Sequence, residues 1–128
     1  MSGAKTLMTN RIAVLVVEDE ALILLDIADQ LEDEGFKVYQ ATNAVAAIEL
    51  LNRHADIRLV FTDIDMPGSL DGLKLAAAVR DRWPPVRIMV TFKACRIRSS
   101  DLPSGSMFLG KPYRHDAVVR SMRQMLAA

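Results

Sequence analysis

One stretch constrains this chain more than any other: Leu59-Val60-Phe61-Thr62-Asp63-Ile64-Asp65-Met66-Pro67-Gly68. A run of apolar and β-favouring residues stops on a carboxylate, and a Pro-Gly turn follows at once. The run has the length and composition of a strand buried on both faces, as in a parallel sheet. An aspartate at its end belongs at the carboxyl edge of the sheet, where open α/β folds bind ligands. The remaining polar clusters can be tested by asking whether they converge on Asp63.

The rest of the chain supplies matching pieces. Ile12-Ala13-Val14-Leu15-Val16-Val17 is a second uninterrupted apolar run, read as a central strand that stops at Glu18-Asp19-Glu20. Ala21 to Glu34 reads as a helix with Leu24, Ile27, Ala28 and Leu31 on one face and Gly35 as its terminator. Phe36 to Gln40 alternates as a strand. Asn43 is placed to cap a helix carrying Ala44, Ala47, Ile48 and Leu51 as its apolar stripe. After the Asp63 strand, Asp71-Gly72 opens a helix with Leu75, Ala76 and Val79 inward, and Trp83-Pro84-Pro85 ends it. Val86 to Thr91 is a fourth strand. Phe92 to Ser106 has room for only a short helix, because Pro103 and Gly105 interrupt it. Met107-Phe108-Leu109 is a fifth strand ending at Gly110-Lys111-Pro112. Tyr113 to Leu126 is a last helix with Val118, Val119, Met122, Met125 and Leu126 on its apolar side. Strands alternating with helices predict an α/β fold, a doubly wound parallel sheet with helices on both faces.

Composition narrows the function. The 128 residues suit one domain, a flexible tail over 1–10 followed by a folded unit over 11–128, and leave no room for a separate output domain. Lys plus Arg and Asp plus Glu are both 16, which argues against nucleic acid or a membrane surface as partner. Cys95 is the only cysteine, and no apolar run reaches spanning length, so the expected location is the cytoplasm.

In a parallel sheet the carboxyl ends of the strands share one rim. The first strand brings Glu18 and Asp19 there, the third Asp63, the fourth Thr91 and the fifth Lys111. Crowded carboxylates raise one another's pKa unless a cation neutralises them. An all-oxygen site with several carboxylates suits Mg²⁺. A carboxylate can attack phosphorus to form an acyl phosphate. Lys111 would then contact phosphate oxygens, and the Thr91 hydroxyl would donate to them.

These motifs resemble the receiver domain of bacterial two-component response regulators, from about Ile12 to Leu126. The resemblance is carried by Val-Leu-Val-Val-Glu18-Asp19-Glu20, Phe-Thr-Asp63-Ile-Asp-Met-Pro-Gly, Asp71-Gly72-Leu, Val90-Thr91 and Gly110-Lys111-Pro112-Tyr113, in order and each at a strand end. It implies a flavodoxin-like five-stranded order and a stand-alone regulator in a phosphorelay. Asp63 is then the phosphoacceptor, carrying a 4-aspartylphosphate. Asp19 binds Mg²⁺ directly, Glu18 assists through water, and the Asp65 backbone carbonyl is a further ligand. Thr91 and Lys111 are the switch pair, and Phe108 occupies the place of a switch aromatic. The implied partners are a histidine kinase or phosphotransfer protein and a downstream protein target, with homodimerisation left open. The implied activity is that of a switch rather than an enzyme, with at most self-phosphorylation and self-dephosphorylation.

Two residues depart from the family pattern. The position after the switch threonine is usually small, and here it is Phe92, followed by Lys93. A bulky ring there modulates access to Asp63, and in the extreme blocks it, which would leave an unphosphorylated receiver-like scaffold. Lys93 either attracts phosphate or pairs with Asp65. A third reading, a haloacid-dehalogenase-like phosphatase, rests on the Asp63-Ile-Asp65 spacing; such enzymes carry that pair on the first strand of a longer chain. Taken singly the same residues also have plain readings. Glu18 to Glu20 suit a helix N-terminus, Asp65 a turn, Thr91 an ordinary strand position and Lys111 a solvated loop. His54 and His115 read as surface residues.

Overall fold

A computed structural model describes residues 11–64, 72–92 and 103–127. In chain order these form β1 (Ala13–Val17), α1 (Ala21–Asp33), β2 (Lys37–Ala41), α2 (Ala44–Arg53), β3 (Ile57–Asp63), α3 (Gly72–Arg82), β4 (Arg87–Phe92), β5 (Met107–Gly110) and α4 (His115–Ala127). The five strands make one sheet in the order β2-β1-β3-β4-β5, with every pairing parallel. This is the flavodoxin-like order that the resemblance implies. The observed strands and helices match the expected ones with ends displaced by a residue or two. The 1–10 tail, the Met66-Pro67-Gly68 turn, Asp71 and the 93–102 stretch lie outside the described residues.

Alternation along the strands divides the core in two. Leu15, Val17, Val60, Ile88 and Val90 face α2 and α3, among Ala47, Leu51, Leu75 and Val79. Val14, Val16, Leu59, Phe61 and Met89 face α1 and α4, among Leu24, Ile27, Leu31, Val118 and Met122. All five residues of β1 are buried, which explains why its sequence is apolar without alternation.

Local chemistry sets the helix ends. Asn43 Oδ1 accepts a hydrogen bond from the Ala46 amide at 2.8 Å, capping α2 as its sequence position requires. At the end of α1, Gly35 has φ +98°. The Gly35 amide donates to Glu32 O, and the Phe36 amide to Leu31 O, both at 3.0 Å. That pairing is a Schellman motif, and Leu31 and Phe36 enter the same apolar cluster, which turns the chain directly into β2. At the exposed edge of β2, Lys37 pairs with Asp56 at 3.1 Å, and a lysine there discourages pairing with a further strand.

Candidate functional site

The carboxyl ends of β1, β3 and β5 bring an acidic cluster and a lysine together. Glu18 follows directly on β1, and its amide donates to Ala41 O at 3.0 Å, holding it in line with the sheet. Glu18 and Asp63 are 4% and 5% exposed, and these are the two buried carboxylates among the described residues. Asp19, beside Glu18, is exposed. One carboxylate oxygen from each of Glu18, Asp19 and Asp63 lies within 4.8 Å of the other two.

Lys111 follows immediately on β5. Its amide donates to Phe92 O at 3.0 Å, continuing the β4–β5 ladder. Its Nζ lies 2.7 Å from Asp63 Oδ2, a contact spanning 48 positions of sequence. The Lys111–Pro112 peptide bond is cis. Asp63 is paired in register with Thr91, so both side chains project from the same face of the sheet. Thr91 Oγ1 is buried and has no hydrogen-bond partner among the described residues. Buried hydroxyls are normally satisfied, so this one marks a position where an acceptor belongs.

Burial pushes the Glu18 carboxyl up from 4.5 to about 7, helped by the hydrogen bond with Asp19 and the charge of Asp63. The Glu20 amide and the Lys111 charge act in the opposite direction. That amide donates to Glu18 Oε2 at 3.0 Å, so Glu18 also serves the start of α1, and the two readings of the acidic run coexist. Tyr113, just before α4, lines a groove beside Glu18 and Lys111, its ring edge-on to Phe61 at 5.8 Å. Burial and then the charges of Glu18 and Asp63 push its phenol upward, keeping it neutral.

The donor set fits Mg²⁺. Among the described residues it is all oxygen, carries more carboxylates than Lys111 offsets, and is open on the Asp19 side. Glu18, Asp19 and Asp63 are the residues that would hold the ion. Asp65, whose carbonyl the family resemblance adds, lies outside the described residues, as does Lys93.

Phe92, expected to modulate access to Asp63, does not share the face of the sheet from which Asp63 projects. One step beyond Thr91, alternation turns it to the opposite face of the sheet. It is 7% exposed there, in the cluster with Ile64, Leu75 and Val90. Its ring centroid is 5.4 Å from that of Phe108, which is 49% exposed on β5. His54 stacks on Tyr39 at 4.3 Å, at the β2 edge of the sheet, and His115 Nε2 lies 3.0 Å from Asp26 Oδ2, where His115 lines the groove beside the acidic cluster.

Two features of the site were not legible in the sequence. A Cβ on Gly72 would stand 2.3 Å from Ile64 Cα and 2.8 Å from Asp63 O, so α3 abuts the end of β3 through a glycine. The Asp-Gly pair after the turn marked a helix start but not this contact. The second is a groove of about 430 Å³ beside the cluster, between α1 and the segment after β5, lined by Glu18, Ile23, Ile27, Lys111 and Tyr113 among others.

Comparison with known proteins agrees with this geometry. A family model described as "Response regulator receiver domain" matches residues 14–123. The chain is 33% identical over 103 residues to the transcriptional regulatory protein PdtaR of Mycobacterium tuberculosis, covering 78% of this chain and 49% of that protein. It is 31% identical over 114 residues to a putative NtrX-like response regulator of Rickettsia felis, covering 86% of this chain and 24% of that protein. The chain thus spans half or less of these curated relatives. Among solved structures, a response regulator receiver protein from Sinorhizobium medicae superposes with a TM-score of 0.86 at 30% identity, covering 94% of this chain and 98% of that one. The receiver domain of NtrX from Brucella abortus superposes with a TM-score of 0.81 at 30% identity, covering 90% and 98%.

Proposed function

The chain belongs to the response regulator receiver domain family, and from that premise we propose that it is a phosphorylation switch whose phosphoacceptor is Asp63. The observation that carries this reading is the Lys111–Asp63 contact of 2.7 Å inside the Glu18, Asp19 and Asp63 cluster. Asp63 attacks the phosphorus of a phosphohistidine on a histidine kinase or phosphotransfer protein. An O–P bond forms as the donor's N–P bond breaks, and the imidazole leaves with the electron pair. Lys111 stands where phosphoryl oxygens arrive and pairs with them as a point charge. Thr91 Oγ1 then finds an acceptor. Glu18 and Asp19, with Asp63, would hold Mg²⁺, which would supply positive charge to offset the carboxylates and the incoming phosphoryl group.

The placement of Phe92 in the core supports an accessible Asp63 over a blocked scaffold. Asp63 lies on the third of five strands, which does not favour the phosphatase reading. The groove beside α1 suits the approach of a donor. Leu22 and Leu25, 82% and 51% exposed on α1, offer apolar surface to a protein partner. Among the described residues no helix is long and apolar enough to cross a membrane.

Incubation with a small phosphodonor such as acetyl phosphate tests the assignment. The expected result is one Mg²⁺-dependent, hydroxylamine-labile phosphoryl group per chain, absent in Asp63→Asn. Label that persists in that variant removes Asp63 from the role, and steady turnover of a phosphomonoester would instead indicate a phosphatase.

A further inference from the structure

The end of β4 carries two side chains on opposite faces of the sheet. Thr91 projects with Asp63, and Phe92 projects into the other half of the core. On that second face β5 is the edge strand. In the β4–β5 register Phe108 lies opposite Val90, and Gly110 lies opposite Phe92. Gly110 puts no side chain beside Phe92, and a Cβ there would meet nothing within 4 Å. The Phe108 ring therefore reaches diagonally across the strands to Phe92, at 5.4 Å and a 33° tilt. The Phe92 carbonyl also accepts the Lys111 amide at 3.0 Å. Phe92 is thus joined to Thr91 through one peptide bond, to Lys111 through one hydrogen bond, and to Phe108 through its ring.

From this juxtaposition we propose that Phe92 is a positioning residue that couples the occupancy of Asp63 to the orientation of Phe108. The inference rests on the reading of Asp63 as phosphoacceptor and deepens it. A phosphoryl oxygen on Asp63 gives the orphaned Thr91 hydroxyl an acceptor. Rotation of the strand end that brings Thr91 toward it moves Phe92 the other way, because successive side chains stand on opposite sides of the pleat. Phe92 belongs to the buried cluster that includes Ile64, Leu75 and Val90, and close-packed interiors transmit displacement. Phe108 is half exposed and is the ring free to re-pack. The output is a change in the aromatic surface at the β5 edge, set by a bulky residue after the switch threonine.

The four phenylalanines make this measurable. In protein labelled with 4-fluorophenylalanine, Phe92 and Phe108 report on one face of the sheet, while Phe36 serves as a control in the other cluster. Saturating Mg²⁺ and beryllofluoride should displace the Phe92 and Phe108 fluorine resonances together, with saturation read on the Ile64 amide. In Phe92→Leu, at saturation by the same amide criterion, the Phe108 displacement should be lost, and Phe92→Tyr should restore it. A full Phe108 response in Phe92→Leu overturns the coupling. So does an unmoved Phe108 in the parent protein whose Ile64 amide reports binding. An unresponsive Ile64 amide in the parent protein would instead defeat the phosphoacceptor reading. Phe108→Leu alters a half-exposed site and stays informative if Phe92→Leu does not fold. By reciprocity it shifts beryllofluoride affinity, and an unchanged affinity overturns the proposal.

Discussion

Among the described residues the buried Thr91 hydroxyl has no hydrogen-bond partner, and burial makes the Glu18 carboxyl harder to ionise than usual. A buried hydroxyl without a partner costs about 1–3 kcal/mol. Thr91→Val keeps the shape and removes the hydroxyl, so it should stabilise the unphosphorylated protein by about 1 kcal/mol in urea denaturation. The same variant should gain less than the parent from Mg²⁺ with beryllofluoride, because the acceptor no longer has its donor. Glu18 is held above its ordinary value, from 4.5 to about 7, chiefly by burial. A carboxyl raised on folding favours the fold while protonated. Its contribution is full below pH 4.5 and is lost as pH rises through about 7. Metal-free protein should therefore lose stability across that interval, and Glu18→Gln should flatten the profile. An unchanged slope in Glu18→Gln would assign the loss to another group.

The elements show how local pattern and contact divide the work. The apolar stripes of the helices appear as buried faces: Leu24, Ile27, Ala28 and Leu31 on α1, and Leu75, Ala76 and Val79 on α3. These were legible because helical spacing alone decides which side chains share a face. The packing of α3 against the site was not. The Gly72 contact with Ile64 Cα and Asp63 O leaves no space for a methyl group. Gly72→Ala should cost about 1–3 kcal/mol through overpacking. It should also weaken Mg²⁺ and beryllofluoride binding, since relief requires the Asp63-Ile64 backbone or the start of α3 to move. Chemical denaturation and beryllofluoride titration measure the two effects. Arg80 is a further contact without a sequence signal. From α3 its Nη2 donates to Ser104 O, and a Cβ on Gly105 would lie 2.9 Å from that nitrogen. The guanidinium thereby ties α3 to the turn that enters β5.

For the whole molecule, the resting state joins a stable sheet to a rim crowded with negative charge. Lys111 offsets part of that charge through Asp63, and a divalent cation would offset more. Binding to the folded state alone stabilises it by mass action, so Mg²⁺ at about ten times its Kd should add about 1.4 kcal/mol. At one fixed Mg²⁺ concentration the gain should be larger above the Glu18 transition than below it, because protonated Glu18 is a poor partner for a cation. Asp19→Asn should reduce the gain, and thermal denaturation with and without Mg²⁺ measures it. An equal gain in Asp19→Asn would place the ion elsewhere.

The amino-acid sequence by itself determined the strands, the helices and the residues at their ends. Periods of two and 3.6 residues, apolar runs, and glycine and proline punctuation are all local. It also indicated, from the rule that parallel strands share one carboxyl edge, which strand ends belong to one rim. Tertiary structure alone decided the lateral contacts: that Lys111 reaches Asp63 across 48 positions, that Gly72 touches the end of β3, and that Phe92 turns away from Asp63 to meet Phe108. Those contacts depend on how crossovers stack helices on a sheet and on which neighbours leave space, and neither is encoded in the spacing of residues along one element.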